Sequence, residues 1–491
     1  MSAELVRNTP EALGIPSAAV SAFLDAVEAS VGGLHGLMLL RHGQVAAEGW
    51  WSPYRPEYPH ALYSLSKAFT SIAVGLAINE GHLCLDDPVV WFFPEAAPAH
   101  IAPHLDALKV RHLLSMNTGH HRDASGAAFR RVDRNIAKRF LRLPIRHEPG
   151  TWFVYNTAAT YMLSAIVHRR TGMPLAEYLQ PRLFDPLGIA PPRWESDPDG
   201  VNMGGFGLNL KTEDIARFGQ MLLQKGSWNG REVVPAEWIE RATSLQSDNA
   251  NQPGSPDWTQ GYGYQFWLCR HGAYRGDGAF GQYCLVMPEA DAVLAITSGV
   301  SDMQAVLDAV WEHLLPAMGA PLPPDPAATA LAERLAGLEI PIITGKRESP
   351  TGREIAGLRY KLDENPAGFK TVTFRSRRPQ ATLRISDRAG AHRILIGHGQ
   401  MLADWTTLEI TLGRVRRQKR EQNIAASGAW TAPDTYTARL VFTETPFIRT
   451  VTLRFVENEL DMTIASNVGF EEGATLHFHG VVVDPWEYPV S

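Results

Sequence analysis

Cysteine is scarce. Cys84, Cys269 and Cys284 are the whole supply in 491 residues, too few and too scattered for a disulfide framework or a Cys-based zinc site, so buried free thiols are expected. An excess of either charge is also missing. The 46 Lys and Arg residues against 52 Asp and Glu leave a net charge of −6, which points away from a nucleic-acid or membrane-surface partner. No window approaches an apolar membrane span, and Met1 to Arg7 lacks the basic stretch and apolar core of a secretory leader, so a cytoplasmic protein is expected. No G-x-S-x-G elbow is present, which argues against an α/β-hydrolase. His100, His104, His112, His120 and His121 crowd one region, but Pro103 interrupts any helix that would align His100 with His104. No carboxylates stand at a recognisable ligand spacing, and neither metal nor cofactor is expected.

What is present begins with Ser64-Leu65-Ser66-Lys67, followed by the apolar run Ile72 to Ile78. A helix starting at Ser64 would bring its hydroxyl and the Lys67 ammonium side by side on one face. It would also set the serine at the positive end of the helix, where the unpaired N–H groups favour negative charge on its oxygen. A helix cap and a solvated lysine are the plainer alternative. A second stretch, Glu148 to Thr157, turns at Pro149-Gly150 and leaves Tyr155 on a loop before the apolar Tyr161 to Val167. The third, Gly276-Asp277-Gly278-Ala279-Phe280-Gly281-Gln282, opens an apolar strand, and its glycines would let a substrate backbone lie against the strand edge.

Other elements are legible from periodicity. Val20, Phe23, Leu24 and Val27 mark an amphipathic helix over 17–30, and Leu37 to Leu40 with Gln44 to Trp50 reads as a hairpin across His42-Gly43. A strand is expected over Gly261 to Cys269, and another over Ala292 to Thr297, before a helix over Asp302 to Leu315. Prolines from Pro316 to Pro326 make a stiff linker. Beyond it, runs such as Lys370 to Arg375, Ala381 to Ile385, Tyr436 to Phe442 and Leu460 to Ala465 recur at antiparallel-sheet spacing. The expected division is 1–316, a linker over 317–328, and an all-β barrel or sandwich over 329–491. The basic run Arg414 to Arg420 reads as a solvated edge or loop.

Taken in order, the three stretches resemble the serine β-lactamase and penicillin-binding family, most closely its class C branch, over roughly residues 8 to 316. Ser64 to Lys67 matches S-x-x-K, Tyr155-Asn156-Thr157 stands in the place of Y-x-N, and Gly276-Asp277-Gly278 in that of K-T-G. The resemblance implies a mixed α/β (α+β) domain, an antiparallel sheet flanked by helices with a helical subdomain, ahead of the all-β domain. It implies catalysis by Ser64, Lys67 and Tyr155, with Asn156, Thr157, Gly276, Asp277, Gly278 and Ala279 binding substrate or its oxyanion. Two of the motifs depart from the pattern, at three positions. Thr157 replaces the usual asparagine and weakens a contact expected to hold Lys67. Gly276 and Asp277 replace the lysine and threonine, and the lost lysine would have bound a substrate carboxylate; neighbouring Arg275 is the nearest substitute, with different reach.

Serine needs a base within hydrogen-bond reach to act as a nucleophile near neutral pH. A desolvated Lys67 serves, and its charge, when present, would draw Tyr155 toward phenolate. A serine hydrolase forming an acyl-enzyme on Ser64 from a small ester or amide is therefore expected, with esters favoured. A β-lactamase, a D-amino-acid peptidase or amidase, and a catalytically silent ligand-binding descendant are the alternatives.

Overall fold

The computed structural model describes residues 4–130, 133, 135–408, 421–470 and 475–483; Arg414 to Arg420 lie outside them. Two units divide the chain. The first comprises Met1–Trp50, Pro56–Ser298 and Asp302–Gly337, and the second Trp51–Arg55, Gly299–Ser301 and Leu338–Ser491. The proline-rich 317–328 stretch thus falls inside the first unit instead of separating two. The cause is helix Ala327–Ala336, whose Arg334 reaches back to Asp25 at 2.8 Å, Glu28 at 3.1 Å and the Ser21 carbonyl at 3.2 Å on helix Ser17–Ser30.

In the first unit, β1 (Leu34–Arg41) and β2 (Gln44–Trp50) form the expected hairpin. Four further strands follow late in the chain: β3 (Trp267–Leu268), β4 (Tyr274–Gly278), β5 (Gln282–Met287) and β6 (Ala292–Ser298). They pair in the order β2-β1-β6-β5-β4-β3, with every neighbour antiparallel. The strand expected over 261–269 shrinks to two residues. Positive φ at Gly261 and Gln265 interrupts extended backbone there. Because β3 pairs only with Tyr274 and Arg275, the end of β4 at Gly276 to Gly278 has no strand on that side among the described residues.

The helix after Ser64 is α1 (Ser66–Asn79), and every residue from Ser66 to Ala77 is buried. A helix apolar on all sides belongs at the centre of a domain, and α1 sits there, with Phe69 stacked on Phe218 at 3.9 Å and the Trp238 ring laid against Gly75. The second central helix is α2 (Thr157–Thr171), also buried along most of its length. No helix among the described residues is long and apolar enough to cross a membrane.

The second unit is all β. Ten strands, from Arg359–Leu362 to Leu476–Val482, make one sheet among the described residues, and its first and last strands are neighbours in it. A parallel bridge from Gly397 to Ser427 joins two further strands, so the sheet curls back on itself. Alternation along each strand sends Tyr360, Val372, Phe374, Leu383, Tyr436, Leu453 and Met462 into one core. This is the expected barrel-like arrangement.

Asp257, in the turn Pro256–Trp258 before β3, ties the helical segments Met303–Ala309 and Val310–Leu314 to Arg270 just after β3. Its carboxylate is fully buried and receives Arg270 Nη2 at 2.7 Å, Gln304 Nε2 at 2.7 Å and Trp311 Nε1 at 3.0 Å. Burial alone would raise its pKa, but these hydrogen bonds outweigh burial and hold it at about 2, against 3.8 for a free aspartate. The folded state therefore binds fewer protons than the unfolded one in this range. The stabilisation is complete above pH 4 or so and is lost as pH falls toward 2. Asp257→Asn should lower stability at pH 7 by about 1–3 kcal/mol, and the gap from wild type in urea melts should close on acidification.

Candidate active site

Ser64 lies in a 3-10 turn, Tyr63–Leu65, that leads directly into α1. The α-helix thus begins two residues later than the sequence suggests. The tighter turn suits the motif, because at three residues per turn positions i and i+3 eclipse. Lys67 Nζ donates to Ser64 Oγ at 3.0 Å. Ser64 does not cap the helix, whose N-cap is Leu65 with no side-chain cap bond.

Lys67 is buried to 1% exposure. An ammonium group has three N–H donors, and here each finds a neutral acceptor: Ser64 Oγ, Thr157 Oγ1 at 3.2 Å and the Gly205 carbonyl at 2.8 Å. The replacement of asparagine by Thr157 therefore keeps the contact to Lys67. With no carboxylate in contact among the described residues, burial dominates and lowers the Lys67 pKa from 10.5 to about 7, while the charges of Asp123 and Asp277 pull it part of the way back.

Tyr155 stands on the loop before α2, as expected, with its ring 4.8 Å from Lys67 Nζ and stacked on Trp267 at 5.2 Å. The neighbouring Ser64 hydroxyl favours its ionised form. Its phenol, however, is pushed well above its ordinary range, first by burial and then by the negative charges of Asp277 and Asp123. The expected drift toward phenolate is overturned. Lys67 is the group of this cluster that changes protonation near neutral pH.

The third motif is rearranged. A Cβ on Gly276 would stand 2.6 Å from Leu65 Cδ1, and one on Gly278 would stand 2.0 Å from the Leu62 carbonyl oxygen. These glycines let β4 approach the turn that carries Ser64, where a close approach of substrate was expected. Asp277 pairs with Arg275 Nε at 2.9 Å. Arg275 is fully buried, donates to the Asp257 carbonyl at 2.7 Å and to Cys269 Sγ at 2.9 Å, and lies over Trp258. It is therefore committed to the interior and does not replace the missing lysine. Asn156 is likewise withdrawn from substrate: it is fully buried, and its side-chain oxygen caps α2 by accepting from Ala158 and Ala159 N–H.

Neither the N–H of Ser64 nor that of Ala279 has an acceptor among the described residues. Gly205 and Asp123 join the site without having been assigned to it from sequence. Gly205 acts only through its backbone carbonyl, which side-chain pattern does not reveal. Trp267, on the strand expected over 261–269, stacks on Tyr155, and Asp123 acts through charge at a distance that sequence separation conceals. The crowded histidines take other partners: His121 Nδ1 lies 3.0 Å from His147 Nε2, and His120 Nδ1 2.9 Å from Thr118 Oγ1. No metal-holding group occurs among the described residues.

A serine beside a buried lysine of lowered pKa, with a tyrosine against both, defines a nucleophilic hydrolase site. The family model described as Beta-lactamase matches residues 3–310, and the chain belongs to that family. It is 28% identical over 284 residues to the 6-aminohexanoate-dimer hydrolase of Paenarthrobacter ureafaciens, covering 54% of this chain and 72% of that protein. It is 27% identical over 209 residues to esterase EstB of Burkholderia gladioli, spanning 37% of this chain and about half, 53%, of that relative. Among solved structures, EstCE1, a hydrolase with promiscuous acyltransferase activity, superposes with a TM-score of 0.50 at 17% identity, over 60% of this chain and 98% of that one. The protein is a serine hydrolase of the β-lactamase family.

Lysine labelled at Cε should show Lys67 titrating near pH 7 by NMR. Asp277→Asn removes a charge that supports the ammonium and leaves Arg275 unbalanced, so the Lys67 titration should move to lower pH. An unchanged midpoint would show that Asp277 does not act on Lys67.

Proposed function

We propose that the protein cleaves neutral carboxylic esters, and more slowly amides, through an acyl-enzyme on Ser64, in the manner of the class C branch of its family. The observation that carries this is the 3.0 Å contact between Ser64 Oγ and a Lys67 amine whose pKa is about 7. With its pKa lowered to about 7, Lys67 is available unprotonated near neutral pH, and its lone pair accepts the Ser64 proton as Oγ attacks the carbonyl carbon. The oxyanion forms between the N–H groups of Ser64 and Ala279. The leaving oxygen takes a proton from Tyr155, which is refilled from the Lys67 ammonium. Deacylation runs the same transfers in reverse with water as the nucleophile. Tyr155 acts in this scheme as a neutral relay.

Ester preference is supported by the third motif. In place of a carboxylate-binding lysine and threonine stand Gly276, which faces α1, and Asp277, already paired with Arg275. A ligand carboxylate there would lose a charge-assisted hydrogen bond worth about 1.5–3 kcal/mol. The β-lactamase and D-peptidase alternatives both need that anchor. The unpaired cysteines support a reducing, cytoplasmic setting.

A fluorophosphonate should add one phosphonyl mass to the wild type by intact-mass measurement and none to Ser64→Ala, which should also lose hydrolysis. Equal turnover by the two would sink the assignment. Tyr155→Phe should keep KM and lose about 10²–10⁴ in kcat, the usual scale of acid–base catalysis. The kcat/KM for p-nitrophenyl butyrate should exceed that for nitrocefin; the opposite order would restore a β-lactamase.

A further inference from the structure

The unpaired Ala279 N–H lies at the start of the turn between β4 and β5, and that turn is held in an unusual way. Gly278, Ala279, Phe280 and Gly281 are four consecutive residues whose carbonyls each have a donor group within reach, the last two sharing the single Ser298 hydroxyl proton. Gly281 N–H donates to the Gly278 carbonyl at 3.1 Å. Gln282 Nε2 donates to the Ala279 carbonyl at 3.0 Å, and Ser298 Oγ lies 2.8 Å and 2.7 Å from the Phe280 and Gly281 carbonyls. Gln282 and Ser298 are fully buried and also bind each other, Gln282 Nε2 donating to the Ser298 carbonyl at 2.8 Å and Ser298 N–H donating to Gln282 Oε1 at 3.2 Å.

In a planar trans peptide the C=O and the following N–H point in opposite directions. With the Gly278 carbonyl drawn into the turn by Gly281, the N–H of Ala279 is turned outward. The next peptide planes cannot rotate without breaking bonds to Gln282 or Ser298. Phe280 and Gly281 both have positive φ, at 69° and 87°, a conformation that costs energy at a phenylalanine and persists only where its surroundings impose it. Tyr63, immediately before Ser64, also has positive φ, at 49°, and its ring meets Phe280 edge-on at 5.5 Å. The two N–H groups thus each adjoin a constrained aromatic residue, and the two aromatics touch.

We propose that Gln282 and Ser298 are positioning residues: a buried polar brace whose function is to fix the direction of the Ala279 N–H toward the oxyanion that forms on Ser64. This rests on the acyl-enzyme reading above. The brace touches neither the nucleophile nor the substrate, so its loss acts on stabilisation of the tetrahedral intermediate while ground-state binding stays as it was.

The test uses Ser298→Ala and Gln282→Met on the full chain, with Ser298→Cys as a milder variant should either fail to fold. For p-nitrophenyl butyrate, kcat should fall about 10- to 100-fold with KM nearly constant, as expected for a misaimed donor. An alkyl boronic acid, which adds to serine as a tetrahedral adduct, should lose affinity in proportion to the loss of kcat/KM across the variants. Wild-type kcat in folded variants, or boronate affinity that does not follow kcat/KM, would overturn the brace. Failure of the wild type to take up fluorophosphonate at Ser64 would instead overturn the acyl-enzyme reading beneath it.

Discussion

The first unit depends on the burial of one amine. Lys67 sits on a helix with no exposed face, and an ammonium there costs several kcal/mol unless its donors are met. They are met by a hydroxyl, a second hydroxyl and a carbonyl, and by no carboxylate among the described residues. Three neutral acceptors satisfy the hydrogen bonds without repaying the charge, and the amine accordingly loses its proton near pH 7. In the neutral form the geometry needs one change: the Ser64 contact reverses, with serine donating and lysine accepting. The arrangement that makes Lys67 tolerable in the core is also the one that aims a base at Ser64.

The surrounding parts protect that arrangement. Glycines at 276 and 278 remove side chains that would hold β4 away from the Ser64 turn. Thr157 is both the first residue of α2 and an acceptor for Lys67, so the cap that Asn156 places on this helix also locates the lysine. Asp277 and Arg275 neutralise one another inside the aromatic cluster formed by Trp258, Trp267 and Tyr155. That pair occupies the place where related motifs carry a free cation. The departure from the expected pattern is therefore a self-contained ion pair, and the Ser64–Lys67 contact stands apart from it.

Much of this was legible in the linear chain. The helix over Ser17 to Ser30, the hairpin at His42-Gly43, the strands near Tyr283 and Ala292, and the all-β run after the prolines follow from periodicities of 3.6 and 2 that local sequence carries. The spacing of Ser64 and Lys67 and the order of the three motifs identified the chemistry, because i and i+3 neighbours meet in a helical turn wherever it is packed. Composition, with few cysteines and no long apolar run, bounded the class of protein.

Tertiary structure alone decided how the charges behave. Whether Tyr155 drifts toward phenolate or stays a phenol depends on Asp123 and Asp277, distant in sequence, and on burial; packing resolved it in favour of the phenol. Arg275 was a candidate ligand for substrate until its neighbours proved to be Asp277, Asp257 and Cys269. The glycines of the third motif turned out to face a helix, and the linker prolines to lie within the first unit, because Arg334 anchors the following helix to Asp25 and Glu28. Local sequence fixes which hydrogen bonds and periodicities are available within a few residues. Desolvation, charge from remote residues and the partner of a buried side chain are set by how the chain packs, in the Lys67 case by Gly205, 138 positions away, and they exist only once the chain has folded.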